Sequence, residues 1–140
     1  MGRMLGYLLV GLICWGCAEA PDRKETCKVS GQLLIDGKPV DSVAVYCNDV
    51  NGMDKAEPTV TACFTGTDGK FSLSTYEKGD GVPPGEYTLT FLWGQFNLNM
   101  QYGGPDKLND RYMDPAKSPV KFKIESGEQK DLGQIELTTK

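Results

Sequence analysis

The sequence predicts an all-β protein, a seven-stranded antiparallel β-sandwich. Short runs in which apolar and polar residues alternate recur along the chain, and that period of two is the signature of a half-buried strand. Turn dipeptides separate the runs, among them Asp36-Gly37, Asn51-Gly52, Asp68-Gly69 and Ser126-Gly127. No window of eleven or more residues keeps a helical period. Seven short strands spaced by turns fit two packed sheets.

The elements follow in order. Strand one is expected over 28–35, closed by Asp36-Gly37-Lys38-Pro39, where aspartate and glycine tolerate the positive φ of a tight hairpin turn. Strand two, over 40–47, places Val43, Val45 and Cys47 on one face, and strand three spans 59–65. Asp68-Gly69 leads into strand four, 70–75, with Phe71 and Leu73 on one side. Strand five, 86–93, alternates Tyr87, Leu89, Phe91 and Trp93 against Thr88, Thr90 and Leu92. Strands six and seven, 120–125 and 132–138, carry Phe122 and Ile124, then Ile135 and Leu137, across the Ser126-Gly127-Glu128 turn. With Val29, Leu33 and Ile35 these inward residues form the expected core. Each large apolar side chain buried contributes roughly 1.5 to 3 kcal/mol, enough together to offset ordering entropy without a metal. Gly31 leaves a gap in strand one, the mark of a bulge or a close backbone crossing. Pro83-Pro84-Gly85 stiffens the approach to strand five and denies a free edge to partner strands.

A chain of 140 residues holds one such domain, expected over 27–140. Residues 1–17 read as an export signal: Arg3 precedes an apolar run from Met4 to Ile13 that is shorter than the roughly 20 residues of a spanning helix. Gly16-Cys17 closes the signal in the manner of a bacterial lipoprotein box, with the Cys17 thiol as acceptor of diacylglycerol. An ordinary signal cut near Ala18 or Ala20, or an uncleaved anchor, is the alternative. Residues 18–26 are polar, aperiodic and contain a proline, as a short tether does.

Composition excludes several kinds of chemistry. There is no histidine in the chain, so serine–histidine and cysteine–histidine nucleophile pairs are absent, as are the histidine ligands of most catalytic zinc sites. Of 15 basic residues one, Arg3, lies in the signal, so the remaining chain carries 14 against 19 acidic residues. This balance argues against nucleic acid, whose binders show a basic stripe. Lys117, Lys121 and Lys123 read instead as alternating charges on a solvated strand face. Asp106, Asp110, Asp114, Glu77 and Asp80 lie in polar loops and read as turn formers. They lack the ligand spacing of a calcium loop, so no catalytic residue, metal site or cofactor is expected. Of the five cysteines, Cys27, Cys47 and Cys63 remain once the signal and its acceptor are set aside. Cys47 and Cys63 flank one hairpin and form the candidate disulfide. Strict alternation would put them on opposite faces, and three reduced, packed cysteines are the competing reading.

The order Val29-Ser30-Gly31, Asp36-Gly37-Lys38-Pro39-Val40, Thr67-Asp68-Gly69-Lys70-Phe71 and Pro84-Gly85-Glu86-Tyr87 resembles the carboxypeptidase regulatory-like domains, relatives of the transthyretin-type sandwich. Arg111-Tyr112-Met113-Asp114-Pro115, with Ser118-Pro119 and Gly127-Glu128, resembles the small exported lipoproteins of planctomycete-type bacteria that carry this domain. The resemblance covers nearly all of the chain beyond Cys17 and implies the sandwich. The histidine-dependent hydroxyisourate hydrolases of that superfamily are excluded by composition. The quoted residues are mostly turn formers, which report geometry and leave function open.

Function is expected in the segment 94–117, longer than ordinary connections in compact domains. It holds Phe96, Leu98, Met100, Tyr102, Arg111 and Tyr112 among amides and glycines. With Trp93, the residues Phe96, Tyr102, Arg111 and Tyr112 form the candidate surface for a protein partner or glycan. The alternative is that Trp93, Phe96 and Tyr112 fold back to cap an open end of the sandwich. The resulting expectation is a non-enzymatic interaction or structural module, exported and anchored by its lipid to a membrane in the periplasm or at the cell surface. Its partner would be an envelope protein, or a glycan held by Trp93, Phe96 and Tyr102.

Overall fold

In the computed structural model, which describes residues 22–140, the chain forms two four-stranded sheets and one small hairpin. The expected signal over 1–17, Cys17 included, lies outside the described residues. The strands are β1 (Val29–Ile35), β2 (Lys38–Pro39), β3 (Ala44–Asp49), β4 (Thr61–Phe64), β5 (Lys70–Ser72), β6 (Gly85–Leu92), β7 (Gln95–Phe96), β8 (Tyr102–Gly103), β9 (Lys121–Ile124) and β10 (Lys130–Leu137). One sheet runs β10-β1-β2, with β5 also paired to β1, and the other runs β4-β3-β6-β9. The seven expected strands correspond to β1, β3, β4, β5, β6, β9 and β10.

Three features depart from the expectation. The Asp36-Gly37 turn has both φ angles positive, 50° and 80°, as a primed hairpin turn requires, yet its second arm is only β2. At Ser42 (φ 59°) the chain has left that sheet, and β3 belongs to the other. Likewise β9 and β10 are not hairpin partners, because the Ser126-Gly127 turn carries the chain between sheets. Finally, the sandwich is not wholly antiparallel: β10 lies parallel to β1, with Val29 opposite Lys130 and Ile35 opposite Leu137. Alternation reports which face a residue takes and says nothing of strand direction.

The core lies between the sheets. Val29, Leu33 and Ile35 of β1, Val43 and Val45, Phe71 and Leu73, Leu89 and Phe91, Ile124, and Ile135 and Leu137 are all buried, as their alternation requires. Phe122 is only partly buried, because β9 is an edge strand. Tyr87 is buried with its hydroxyl donating to the Pro83 carbonyl at 2.7 Å. Of the two expected reasons for Gly31 the bulge is present, and the close neighbour is a side chain in place of a backbone crossing. A Cβ there would lie 2.8 Å from the Phe71 ring, and the β1–β10 register slips between Ser30 and Gln32. The bulge falls on β10, at Gly133 with φ 69°.

Residues 22–26 have no regular secondary structure and are docked on the domain. Arg23 pairs with Glu77 at 2.8 Å and lies over the Tyr76 ring, and Lys24 Nζ meets Asp54 Oδ2 at 2.7 Å. Glu25 accepts a hydrogen bond from Ser126. The Lys24 hydrogen bond, with the Ala56 and Glu57 N–H groups, holds the Asp54 carboxyl down at about 2 against an ordinary 3.8. A carboxyl lowered in the folded state stabilises it fully above its unfolded pKa and loses that contribution as pH falls through the folded one. The Lys24–Asp54 contact is therefore expected to hold at neutral pH and to release between about pH 4 and about pH 2. Backbone amide shifts of Ala56 and Glu57 followed by NMR should titrate in that window. Titration near 4 instead would show that the contact does not form.

Candidate interaction site

Residues 22–27 and the 94–117 segment lie at opposite ends of the sandwich. Cys27 bridges to Val82 and Lys24 reaches Asp54, beside the end of β3 that holds Asp49. The 94–117 segment leaves β6 at Leu92, which lies opposite Ala44 at the other end of β3.

The segment divides in two. Its first part is the β7–β8 hairpin. From Gln95 to Gly103 amides or glycine alternate strictly with apolar residues, Phe96, Leu98, Met100 and Tyr102. Phe96 and Tyr102 are a cross-strand pair with ring centroids 4.9 Å apart, and both contact Phe64 of β4, at 5.3 and 4.8 Å. The Tyr102 hydroxyl accepts from the Gly94 N–H at 2.8 Å and lies 2.7 Å from the Ser42 carbonyl and 2.9 Å from that of Leu92, the acceptors for its proton. Burial outweighs the Gly94 hydrogen bond and pushes this phenol up, so it stays neutral and keeps its donor. Beyond the aromatic base, Asn97 organises the turn. Its Oδ1 accepts from Asn99 N and Gln101 N, and its carbonyl accepts from Met100 N. Met100 takes a left-handed φ of 58°, uncommon for a residue with a side chain. This turn projects Leu98, fully exposed, and Met100, 77 % exposed, into solvent.

The second part is a cap. Asp106 Oδ1 accepts from Trp93 N at 2.9 Å and from Leu108 N at 3.0 Å, while Oδ2 accepts from Asp110 N. Lys107 N donates to the Trp93 carbonyl. These bonds set Leu108 into the core, where none of its surface is exposed. Phe91 N donates to the Tyr112 carbonyl, and the Tyr112 hydroxyl accepts from Thr138 N. Arg111 donates to the Lys140 carbonyl.

The five candidate residues therefore do not form one surface. Phe96 and Tyr102 come together, joined by Phe64. Trp93 packs against the core with Lys107 Nζ 4.9 Å from its ring centroid, so that face is occupied. Arg111 and Tyr112 bond the backbone at Lys140 and Thr138. Capping is done by Leu108, with Trp93 and Tyr112 beside it, while Phe96 stays 42 % exposed. The sequence-based list omits Phe64 and the tip residues Leu98 and Met100. The nine-residue alternation was the signal for the tip.

Cys47 and Cys63 are free thiols. Contrary to the alternation argument they share a face, because Cys63 lies opposite Val45 and Cys47 opposite Thr61. That offset makes them a diagonal pair, whose Cβ atoms are typically farther apart than the roughly 4 Å a disulfide needs. Burial raises both thiols, Cys63 to about 12, so they are neutral and poor nucleophiles. Among the described residues no three cysteine or acidic side chains are grouped to hold a metal ion, and no helix is long and apolar enough to cross a membrane.

Fold and site together define a β-sandwich domain that projects an amphipathic hairpin from one end. No protein-family model matches the chain, and comparison with curated proteins finds no match. Among solved structures it is similar to the major pilin subunit of Bacillus cereus, at 12 % identity and TM-score 0.47 over 79 % of this chain and 29 % of that one. It is similar also to a DUF3823 family protein from Parabacteroides merdae, at 17 % identity and TM-score 0.39 over 83 % of this chain and 46 % of that one. A 9R-lipoxygenase from Cyanothece gives 17 % identity and TM-score 0.39 over 81 % and 16 %. The chain spans less than half the length of each.

Proposed function

We propose that this protein is a lipid-anchored, non-enzymatic interaction module of the cell envelope, built on a sandwich of the carboxypeptidase regulatory-like type. The observation that carries the reading is the hairpin tip. Leu98 and Met100 are held in water by a turn that uses Asn97 as its brace and a left-handed Met100, an arrangement that costs free energy and gains nothing inside the domain. An apolar pair covered by another molecule accounts for it. The signal-like residues 1–17 ending in Gly16-Cys17 support export and acylation. The tether, at the end of the sandwich opposite the hairpin, would then point the tip away from the anchoring membrane. The absence of histidine from the sequence and the high pKa values of the Cys47 and Cys63 thiols support a role without catalysis.

A flat sugar-binding platform draws no support from the rings. Phe64, Phe96 and Tyr102 are inclined to one another by 51° to 69°, and Trp93 is covered by Lys107. Intact mass of the natively expressed protein tests the anchor: a diacylated chain beginning at Cys17 is expected, and an unmodified terminus beyond it would refute acylation. The interaction is tested by whether Met100 becomes covered in intact envelopes.

A further inference from the structure

The turn that follows β3 carries chemistry that neither the core nor the hairpin uses. Asn51-Gly52 is the one place in the chain where glycine follows asparagine. Asp49 builds the turn: its carbonyl accepts from Gly52 N at 3.0 Å and its Oδ1 from Asn51 N at 2.7 Å. Asn51 and Gly52 are both exposed. No atom lies within 4 Å of the place that a Gly52 side chain would fill. The Asn51 carboxamide has no hydrogen-bond partner among the described residues, its backbone N alone being bonded. The other asparagines differ. Asn48, Asn97, Asn99 and Asn109 precede Asp49, Leu98, Met100 and Asp110, whose side chains crowd the amide nitrogen that follows. Asn48 Nδ2 also donates to the Thr88 carbonyl at 3.2 Å and to Thr90 Oγ1 at 3.1 Å, and Asn97 Oδ1 accepts from the N–H groups of Asn99 and Gln101.

We propose that Asn51 is a self-modification site, converted without an enzyme to aspartate and isoaspartate through a cyclic imide with Gly52. The Gly52 nitrogen, having lost its proton to solvent, attacks Asn51 Cγ. The new C–N bond closes a succinimide ring as the Cγ–Nδ2 bond breaks, and the side-chain nitrogen takes up a proton and leaves as ammonia. Water then opens the ring at either carbonyl. The balance is asparagine and water giving ammonia and aspartate or isoaspartate, with no change of oxidation state. Attack requires the Gly52 N–H to leave the Asp49 carbonyl. That is a single bond in an exposed turn, the kind of segment that opens locally at little free energy. Glycine leaves the attacking nitrogen uncrowded, having no Cβ beside it. The product adds a carboxylate to a loop that already holds Asp49 and Asp54. As isoaspartate it also lengthens the main chain by one carbon ahead of Asp54, the residue that pairs with Lys24.

The test is to age the full-length protein for days at physiological temperature, at neutral and mildly alkaline pH, and to map its peptides by mass spectrometry. Asn51 is expected to gain the mass of an amide exchanged for a carboxyl several-fold faster than Asn48, Asn97, Asn99 or Asn109. The gain should be faster at the higher pH, since the attacking nitrogen must be deprotonated. Part of the product should resist an endoproteinase that cuts before aspartate, as isoaspartate does. Gly52→Ala, which crowds the nitrogen, is expected to slow the conversion several-fold. Asn51→Gln, which leaves Gly52 and the turn in place, should slow it likewise, because a longer side chain closes a larger ring. Conversion of Asn51 no faster than that of the other asparagines, an equal rate in either variant, or a product cleaved completely before residue 51 overturns the proposal.

Discussion

Replacing Gly81 by alanine is expected to unfold the domain at a far lower denaturant concentration than wild type, with a loss on the order of 4 kcal/mol or more. Gly81 has φ 98°, and a Cβ there would lie 1.9 Å from the Cys27 carbonyl oxygen and 2.8 Å from Lys28 N. Those neighbours are backbone and cannot rotate aside. Relief requires breaking the paired hydrogen bonds between Cys27 and Val82, at 2.8 and 3.0 Å, which exposes two residues that are now 3 % and 0 % accessible. Gly52→Ala serves as the control. Gly52 has φ 83° but nothing within 4 Å of the added atom, so it should cost only the left-handed penalty of roughly 1 to 2 kcal/mol. Equal urea midpoints for the two variants would show that the Cys27 crossing is not rigid.

The second large effect concerns the cap. Leu108→Ala removes a fully buried side chain supplied by a loop, and a loss of about 2 to 5 kcal/mol is expected, read from the shift in urea midpoint. Because the hairpin is fixed separately, through Tyr102 to Ser42 and Leu92, the aromatic signals of Phe96 and Tyr102 should keep their native shifts below the transition. A loss under about 1 kcal/mol would mean that Leu108 does not close the core.

The strands were legible because their side chains report a local condition. Leu33, Val45, Leu89 and Phe91 sit in alternating runs, and each run needs one dry face wherever it lies in the fold. Gly31 was legible for a related reason, since a residue without a side chain inside such a run implies that something else occupies its place. What stayed hidden depends on where the chain goes after a turn. Asp36-Gly37 signals a hairpin but not that its second arm lasts two residues, and the alternation of Ile135 and Leu137 fits a parallel neighbour as well as an antiparallel one. The same alternation misplaced Cys63, because the register of β4 against β3 sets which face it shares.

The candidate segment was legible in part. The length of 94–117 sets it apart from ordinary connections, but aromatic type does not separate Trp93, under Lys107, from Phe96, in solvent. Leu108 carried no periodic signal at all, being one apolar residue in a polar loop that Asp106 pins from the side. The alternation from Gln95 to Gly103 held the missing information. A short amphipathic hairpin has an apolar face that must go somewhere, and only its base, Phe96 and Tyr102, has a partner in this chain.

If the tip of this hairpin is a contact surface, methionine oxidation reveals it against an internal reference. In the isolated domain Met100 is 77 % and Met53 63 % exposed, so exposure alone makes Met100 the faster of the two to oxidise. In intact envelopes treated with peroxide and analysed by mass spectrometry, Met100 is expected to oxidise several-fold more slowly than Met53. Oxidation of Met100 at or above the rate of Met53 would contradict the account.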